Sequence, residues 1–380
     1  MTARVAFLVT HLMGSGHLVR TLALARALAA RGGEPLVISG GRPLGHVDAA
    51  GVRLHQLSPL SSDGLNYRRL LTASDAEATP ADLAARRAEI VDILHGERPD
   101  ALVTELWPFG RRILSDEFSA AVDAAEALSA PWFVSVRDLP EPPKKPSRVA
   151  EIRARLARAS GVFVHGDPAV APFETAFPGG ESLGAGGKIP LQYTGYVADP
   201  PPPPLPAAAG EVLVAVGGGA IGRALLTLAA RAAALSEHPW RLRVGGAEAA
   251  ETAARLRSLG PVVVEPAAPD YRARLGAAAV SVSLAGYNSA VEVALAGLPA
   301  LLVPMEEAGE QEQLLRAGAF AKLPGLETAR LADLTPQRLA DTVARLARQP
   351  RRPDRLRAEG AAETARLLLA AVSRPPRPAP

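Results

Sequence analysis

The sequence predicts an α/β fold in which two doubly wound, Rossmann-like domains face one another across a cleft. A short apolar strand, a Gly-rich turn and a helix open the chain at Val5, and the same order returns at Val212. A proline run, Pro200–Pro204, separates the two halves, and such runs form semi-rigid linkers without a core of their own. Hydrophobic residues make up 48% of the 380 residues, which is ample for two buried cores.

The predicted elements alternate strands with helices, as expected for parallel sheets. In the first half, the strands are Val5–Thr10, Leu36–Ser39, Val52–Leu57, Ala101–Thr104, Trp132–Val136 and Gly161–Val164, with helices at Leu18–Ala30, Pro80–His95 and Val149–Ser160. In the second half, the strands are Glu211–Val216, Trp240–Gly245, Val262–Glu265, Val280–Ser283, Ala300–Pro304 and one around Ala321–Leu323. Helices follow at Arg223–Leu235, Gly246–Leu259, Asn288 or Ser289 to Leu295, Thr335–Leu346 and about Asp354–Val372, with Asn288 and Ser289 as N-cap residues.

These elements give the domain boundaries. We expect an N-terminal domain over 1–198, a linker over 199–209, a C-terminal domain over 210–350 and a helix within 351–373. The Pro-rich tail, 374–380, is expected to be disordered.

Composition excludes several classes of protein. The net charge of +3 is small and dispersed, and no nucleic-acid-binding signature is present, so nucleic acid is not an expected partner. The chain has no Cys, which excludes disulfides, thiolate metal sites and a Cys nucleophile. The N-terminus is interpreted as a first strand rather than a signal peptide, and no apolar run reaches membrane-spanning length. A cytoplasmic enzyme is therefore expected.

The most informative stretch runs from Ser281 to Arg316. A strand ends there at a turn in which Gly286 lets the backbone approach a ligand closely, and a helix begins immediately afterwards. Ligands of open parallel sheets bind beyond the carboxyl ends of the strands, where helix N-termini favour anions. Taken alone, these residues also fit an ordinary βαβ unit with a surface Glu and a charged loop.

The order S-x-x-G-x-N-S-x-x-E-x-x-x-x-G-x-P, followed by Glu-Gln, resembles the nucleotide-sugar site of GT-B glycosyltransferases. Within that fold, the motif resembles the group of the bacterial UDP-GlcNAc transferase that forms lipid II. The resemblance implies that the turn and helix start face the donor diphosphate, that Glu292 binds the ribose, and that Glu310 and Gln311 bind the sugar. The implied donor-binding residues are Gly218, Gly219, Ser283, Gly286, Asn288, Ser289, Glu292, Glu310 and Gln311. Glu310 replaces a basic residue of the lipid II enzyme, so its GlcNAc preference is not carried over.

The first strand–helix junction resembles the acceptor-side loop of the same group. It reads G-x-G-H-x-x-R, with Gly14, Ser15 and Gly16 as the loop, followed by His17 and Arg20. Sugar transfer requires the acceptor hydroxyl to lose a proton, and imidazole titrates near neutral pH, so His17 is the candidate base. Glu105, at a strand end, is the second candidate for base or acceptor binding. The alternatives are that His17 only caps or packs the helix, and that Arg20 binds an anion or is solvated.

Several shorter segments resemble uncharacterised bacterial proteins predicted to be glycosyltransferases: T-E-x-x-P-F-G-R-R from Thr104, VSVRD from Val134, VHGDP from Val164 and YTGYV from Tyr193. The GT-B resemblance also implies that the C-terminal helix packs back toward the N-terminal domain. His165 and Asp167, together with His17, suggest a metal site at first sight, but GT-B transferases need no bound metal, so we expect neither a metal nor a cofactor.

The resulting hypothesis is an inverting, metal-independent glycosyltransferase that moves a sugar from a nucleotide sugar, a UDP-sugar in the first instance, to an acceptor hydroxyl. The acceptor class (glycan, lipid or small molecule) stays open. The alternatives are a nucleotide-sugar hydrolase or epimerase on the same fold, and a non-catalytic nucleotide-sugar-binding protein. The basic, Pro-rich run LPEPPKKPSR is either a solvated loop or a contact for anionic lipids. A contact with anionic lipids would place the enzyme peripherally on the inner face of the membrane.

Overall fold

The fold was analysed in a computed structural model. It describes residues 2–45, 47–62, 69–180, 183, 189–199, 202–216, 220–245, 249–268, 270–306, 311–353 and 356–373. The chain divides into two compact units. Unit 1 comprises Met1–Pro168, Pro172–Ala198 and Ala358–Pro380, and unit 2 comprises Ala169–Ala171 and Asp199–Arg357.

Unit 1 contains a parallel sheet of seven strands in the order β3-β2-β1-β4-β5-β6-β7. Its strands are β1 (Arg4–Val9), β2 (Glu34–Gly41), β3 (Arg53–Leu60), β4 (Ala101–Glu105), β5 (Trp132–Arg137), β6 (Gly161–His165) and β7 (Leu191–Tyr193). Its helices are α1 (Gly16–Ala29), α2 (Pro80–Glu97), α3 (Ser115–Ala127), α4 (Pro146–Leu156) and, from the C-terminus, α11 (Gly360–Val372).

The sheet of unit 1 is covered on both faces. Successive β1 side chains point to opposite faces, so Ala6 and Leu8 join one buried cluster while Val5, Phe7 and Val9 join another. The second cluster includes Leu22 and Leu28 of α1 together with Ala365 and Leu368 of α11. The last helix therefore belongs to the core of unit 1, although more than 150 residues separate it from β7 in sequence.

Unit 2 contains a parallel sheet of six strands in the order β10-β9-β8-β11-β12-β13. Its strands are β8 (Val212–Ala215), β9 (Trp240–Val244), β10 (Val262–Pro266), β11 (Val280–Leu284), β12 (Ala300–Val303) and β13 (Leu326–Thr328). Its helices are α5 (Ala220–Ala233), α6 (Ala249–Arg257), α7 (Tyr271–Ala277), α8 (Tyr287–Leu295), α9 (Glu312–Phe320) and α10 (Pro336–Leu346).

Two local predictions were wrong, and the last helix begins at Gly360 rather than about Asp354. The last strand is Leu326–Thr328 rather than Ala321–Leu323, because α9 extends to Phe320 and the following residues form its C-terminal turn. Helix α8 starts at Tyr287 with Gly286 as its N-cap residue, so Asn288 and Ser289 lie inside the first turn and are not caps. The backbone of Gly286 is already extended, which is the conformation of an N-cap, so the helix begins earlier than the polar side chains suggested.

Candidate active site

Both sheets reverse their strand order at one point, and several of the predicted site residues that the structure describes lie there. In unit 1, β1 and β4 are neighbours in the sheet although β2 and β3 separate them in sequence. The connections that leave these two strands run to opposite sides, which opens a crevice at the carboxyl edge. His17 lies in the first turn of α1, after β1, and Glu105 is the last residue of β4.

His17 and Glu105 form a hydrogen-bonded pair. Nδ1 of His17 lies 3.0 Å from Oε1 of Glu105, and the two side chains are 12% and 3% exposed. An ionised carboxylate can only accept, so the proton is assigned to Nδ1, which leaves the lone pair on Nε2. Nη2 of Arg20 also lies 3.2 Å from Nδ1, but it donates to Oε1 of Glu105, and a protonated Nδ1 cannot accept from it. The two residues, proposed as alternative bases, are thus brought together as an imidazole and its carboxylate partner.

Charges around this pair determine its protonation. Burial opposes ionisation of Glu105, but Arg20 and the hydrogen bonds from His17 and Ser135 outweigh it and hold the pKa of Glu105 well below its usual range. Burial and the charge of Arg111 lower the pKa of His17 to about 3, against the opposing effect of Glu105. At neutral pH, His17 is therefore a neutral imidazole beside an ionised carboxylate.

The position of Arg20 matches neither sequence interpretation, which were an anion-binding side chain and a solvated one. Its side chain is buried rather than solvated, and its guanidinium forms an ion pair with Oε1 of Glu105. Arg20 lies one turn after His17 on α1, so both side chains are on the face that packs against β4. Its charge compensates Glu105 inside the fold.

The predicted acceptor-side loop adopts the local geometry that its glycines allow. Gly14 has φ of +60°, in the left-handed region, and no atom of the described residues lies within 4 Å of the position of a Cβ there. Ser15 is the N-cap residue of α1, and Gly16 is its first residue. The loop therefore brings exposed backbone directly to the helix start that carries His17.

Unit 2 has the same reversal between β8 and β11. The predicted residues Gly218 and Gly219 follow β8 and lie outside the described residues. After β11, Gly286 has ordinary dihedral angles, φ −62° and ψ 152°, and a Cβ there would meet no described atom within 4 Å. Nothing in the described fold therefore requires a glycine at this turn, and the space in front of it is open.

The other donor-side residues lie on the same strand and helix. Ser283 is fully buried in β11, and its Oγ has no hydrogen-bond partner among the described residues. Asn288 and Ser289 are half-buried in the first turn of α8. Glu292 lies one turn further on, with Oε1 3.8 Å from Nε of Arg272. Burial raises the pKa of Glu292 to about 7, against the attraction of Arg272.

Two Glu-Gln pairs occur in succession at 310–313, and the structure distinguishes them. Glu310 lies outside the described residues, and Gln311 is exposed just before α9. Glu312 is buried and accepts from Nη1 of Arg316 at 2.7 Å, while Oε1 of Gln313 accepts from the Met305 amide at 3.1 Å. The second pair is thus engaged within the fold, whereas Gln311 of the predicted pair is exposed.

Arg316 was not predicted as a site residue. It is fully buried, donates to the carbonyl of Ala285 at 3.3 Å and lies over the ring of Tyr287. It therefore connects α9 to the turn that contains Gly286. Sequence reasoning did not single out Ser135 or Thr194, and it considered His165 only as a metal ligand; all three are buried behind Glu105. For Ser135 and His165, the signal was a polar side chain within an otherwise apolar run, VSV and GVFVH.

No helix within the described ranges is long and apolar enough to cross a membrane. Lys144 and Lys145, in the basic loop before α4, are exposed. That observation fits either interpretation of the loop.

Comparison with known proteins assigns the second half of the chain. Residues 212–370 match the glycosyltransferase family 28 C-terminal domain. A UDP-N-acetylglucosamine--N-acetylmuramyl-(pentapeptide) pyrophosphoryl-undecaprenol N-acetylglucosamine transferase of Rhodopseudomonas palustris is 41% identical over 83 residues, 22% of this chain and 23% of that enzyme. The chain spans about a quarter of the length of the curated relatives it matches, 23% and 30% for two of them.

Solved structures extend the similarity to the whole chain. MurG of Acinetobacter baumannii superposes with a TM-score of 0.59 at 16% identity, covering 97% of this chain and 99% of that one. Phytolacca americana UGT2, complexed with UDP-2-fluoro-glucose and pterostilbene, gives a TM-score of 0.61 at 15% identity over 98% and 95%. At these identities the similarity establishes the fold. The predicted GT-B fold and the resemblance to the family 28 group are both confirmed.

Proposed function

We propose that this chain, whose residues 212–370 match the glycosyltransferase family 28 C-terminal domain, is an inverting, metal-independent glycosyltransferase that uses a UDP-sugar donor. The observation that carries the proposal is the His17–Glu105 pair at the strand-order reversal of a GT-B unit. Such a pair supplies a neutral imidazole whose Nε2 lone pair is available to accept the proton of a hydroxyl.

His17 is the catalytic base in this proposal. Nε2 takes the proton of the acceptor hydroxyl as its oxygen attacks the anomeric carbon, and the bond to the nucleoside diphosphate breaks. The imidazolium that forms keeps its Nδ1–H on Glu105, whose negative charge stabilises it. A base that activates the acceptor supports a single displacement, which inverts the anomeric centre.

The donor is assigned to unit 2. Open space at the Gly286 backbone and the N-terminus of α8 suit a diphosphate, because backbone amides there can share its charge as it leaves. Amide stabilisation of this kind needs no cation, and the proposal is metal-independent for that reason. Glu292, one turn along α8, is the proposed ribose ligand, with Gln311 and Glu310 at the sugar.

The proposal is tested by incubating the purified protein with a panel of nucleotide sugars in EDTA and following nucleotide release with and without candidate acceptors. Acceptor-dependent release of nucleoside diphosphate, lowered about 10²- to 10⁴-fold in His17→Ala with donor affinity kept, supports transfer. Release of nucleoside monophosphate plus sugar phosphate would instead show a hydrolase. The anomeric configuration of the product, read by NMR, decides inversion.

Gly286→Ala separates a ligand role from a structural one. Because a Cβ meets no described atom and φ is already −62°, the loss of stability should stay near the N-cap difference, about 1 kcal/mol or less. Affinity for nucleoside diphosphate should fall at least about tenfold if the diphosphate lies against this backbone, as followed by calorimetry. Gly318→Ala in α9, also open to solvent, is the matched control. Unchanged affinity in Gly286→Ala would remove the diphosphate from this turn.

The acceptor is a glycan, a lipid or a small molecule. The R. palustris relative is named for a pyrophosphoryl-undecaprenol acceptor. A cytoplasmic location, with docking of the Lys144–Lys145 loop on anionic lipid, stays a prediction that vesicle co-sedimentation can test.

A further inference from the structure

Behind Glu105, a row of buried polar side chains crosses three neighbouring strands. Oε2 of Glu105 lies 2.6 Å from Oγ of Ser135, and Oγ of Ser135 lies 2.9 Å from Nε2 of His165. Nδ1 of His165 lies 2.9 Å from Oγ1 of Thr194. Each of these four residues is at most 3% exposed.

The strand register explains why they meet. Glu105 on β4 pairs directly with Ser135 on β5, so their side chains point to the same face. His165 closes β6 on the far side of β5, and Thr194 follows β7. A polar line through an apolar sheet is unfavourable unless each group is hydrogen-bonded, and here each group has a partner.

Because the Glu105 carboxylate is ionised, it determines which atom carries the proton in each hydrogen bond of this row. Glu105 cannot donate, so the 2.6 Å contact requires the Ser135 hydroxyl to donate to it. Oγ of Ser135 must then accept from Nε2–H of His165, which leaves the lone pair of His165 on Nδ1. Thr194 therefore donates to Nδ1, rather than to the carbonyl of Gly195 at 3.1 Å.

We propose that Ser135 and His165 are positioning residues that act through Glu105 on His17, an inference that rests on the role proposed for His17 as the base. In this row, the Ser135 hydroxyl donates to Oε2 of Glu105. Oε1 therefore remains available to accept from Nδ1–H of His17 and from Arg20. It spreads the charge of Glu105 without adding a further formal cation to the arginines that already face the imidazole. Aligned hydrogen bonds of this kind also strengthen one another.

The charged and titratable groups that face His17 come from several elements. They are Glu105 on β4, Arg20 on α1, Arg111 after β4 and Arg137 on β5. His165 stays neutral in this environment, since burial and the charge of Arg20 lower its pKa to about 3. The row therefore keeps its proton arrangement throughout the neutral range.

The test is NMR of the imidazole nitrogens of His17 in the full-length protein, assigned with a His17 variant among the seven histidines. In the wild type, Nδ1 should carry the proton and Nε2 should be bare. Ser135→Ala and His165→Leu should each lower the fraction of the Nδ1–H tautomer. Both should also lower the titration midpoint of His17 by on the order of half a pH unit, because a carboxylate that is no longer held in place stabilises the imidazolium less.

Conservative variants and a matched control complete the design. Ser135→Thr keeps the hydroxyl and His165→Gln keeps an N–H at the Nε2 position, so both should restore the wild-type spectrum. Ser39 is equally buried in β2, and its Oγ has no partner among the described residues, so Ser39→Ala should change nothing. Wild-type tautomer and titration in both Ser135→Ala and His165→Leu would overturn the inference, as would an equal effect of Ser39→Ala.

The NMR result is independent of turnover. If no donor is ever transferred but the His17 signals move as expected, the proposed function fails and the positioning role stands. If transfer is found and its pH profile and the His17 signals do not respond to Ser135→Ala, the proposed function stands and the positioning role fails.

Discussion

Glu292→Gln should stabilise unit 2 at alkaline pH and not at acid pH. Burial raises the pKa of Glu292 from 4.5 to about 7, so the folded unit holds this proton more tightly than the unfolded chain does. As pH rises above the unfolded value, the unfolded state loses its proton first, and the wild type loses stability until the folded group has also ionised. The difference of about 2.5 pH units corresponds to about 3 kcal/mol.

Glutamine carries no charge, so Glu292→Gln should not have the free-energy cost of burying an ionised carboxylate. Arg272 retains a second partner, the carbonyl of Asp199, and is not left unsatisfied by the change. We expect wild type and Glu292→Gln to be equally stable near about pH 3.5, below the pKa of the unfolded chain, and the variant to be more stable by up to about 3 kcal/mol near about pH 8.5.

The assay is hydrogen exchange by mass spectrometry in increasing urea, read on peptides of unit 2, because the two units need not unfold together. Glu251→Gln, an exposed carboxylate on α6, is the matched control and should show little change with pH. A difference between wild type and Glu292→Gln that stays constant from acid to alkaline pH would refute the reasoning. Nucleoside diphosphate affinity, measured in parallel, should fall in the variant if Glu292 binds the ribose.

Two further perturbations test the surroundings of the two sites. Arg111→Ala removes a charge that lowers the pKa of His17, so the acidic limb of a pH–rate profile should move to higher pH, whereas the exposed neighbour Arg112→Ala should leave it in place. Arg316→Met leaves Glu312 buried without its cation and should destabilise unit 2 by about 3–5 kcal/mol in urea unfolding. The double variant with Glu312→Leu should recover much of that loss, and a double variant as unstable as the single one would contradict the pairing.

Local patterns predicted most of the elements. The apolar runs of β1, β4 and β5 are buried as expected, since strands covered on both faces need continuous hydrophobic sequence. The strand predicted around Ala321–Leu323 was wrong because a short apolar run does not distinguish the end of a helix from a strand. The cap prediction at Asn288 and Ser289 was wrong because a glycine backbone already supplied the N-cap conformation.

By itself, the sequence determined which residue types stand at the ends of which strands: His17 after β1, Glu105 at the end of β4 and Gly286 after β11. Only the tertiary structure decided that Glu105, 88 residues from His17, is its hydrogen-bond partner, because the sheet order makes β1 and β4 neighbours. Likewise, only the tertiary structure decided that Arg20 is buried, and that Ser135, His165 and Thr194 form a hydrogen-bonded row behind the Glu105 carboxylate. Periodicity in a sequence specifies which face of a strand is buried, but which strands lie side by side depends on how the whole sheet is ordered.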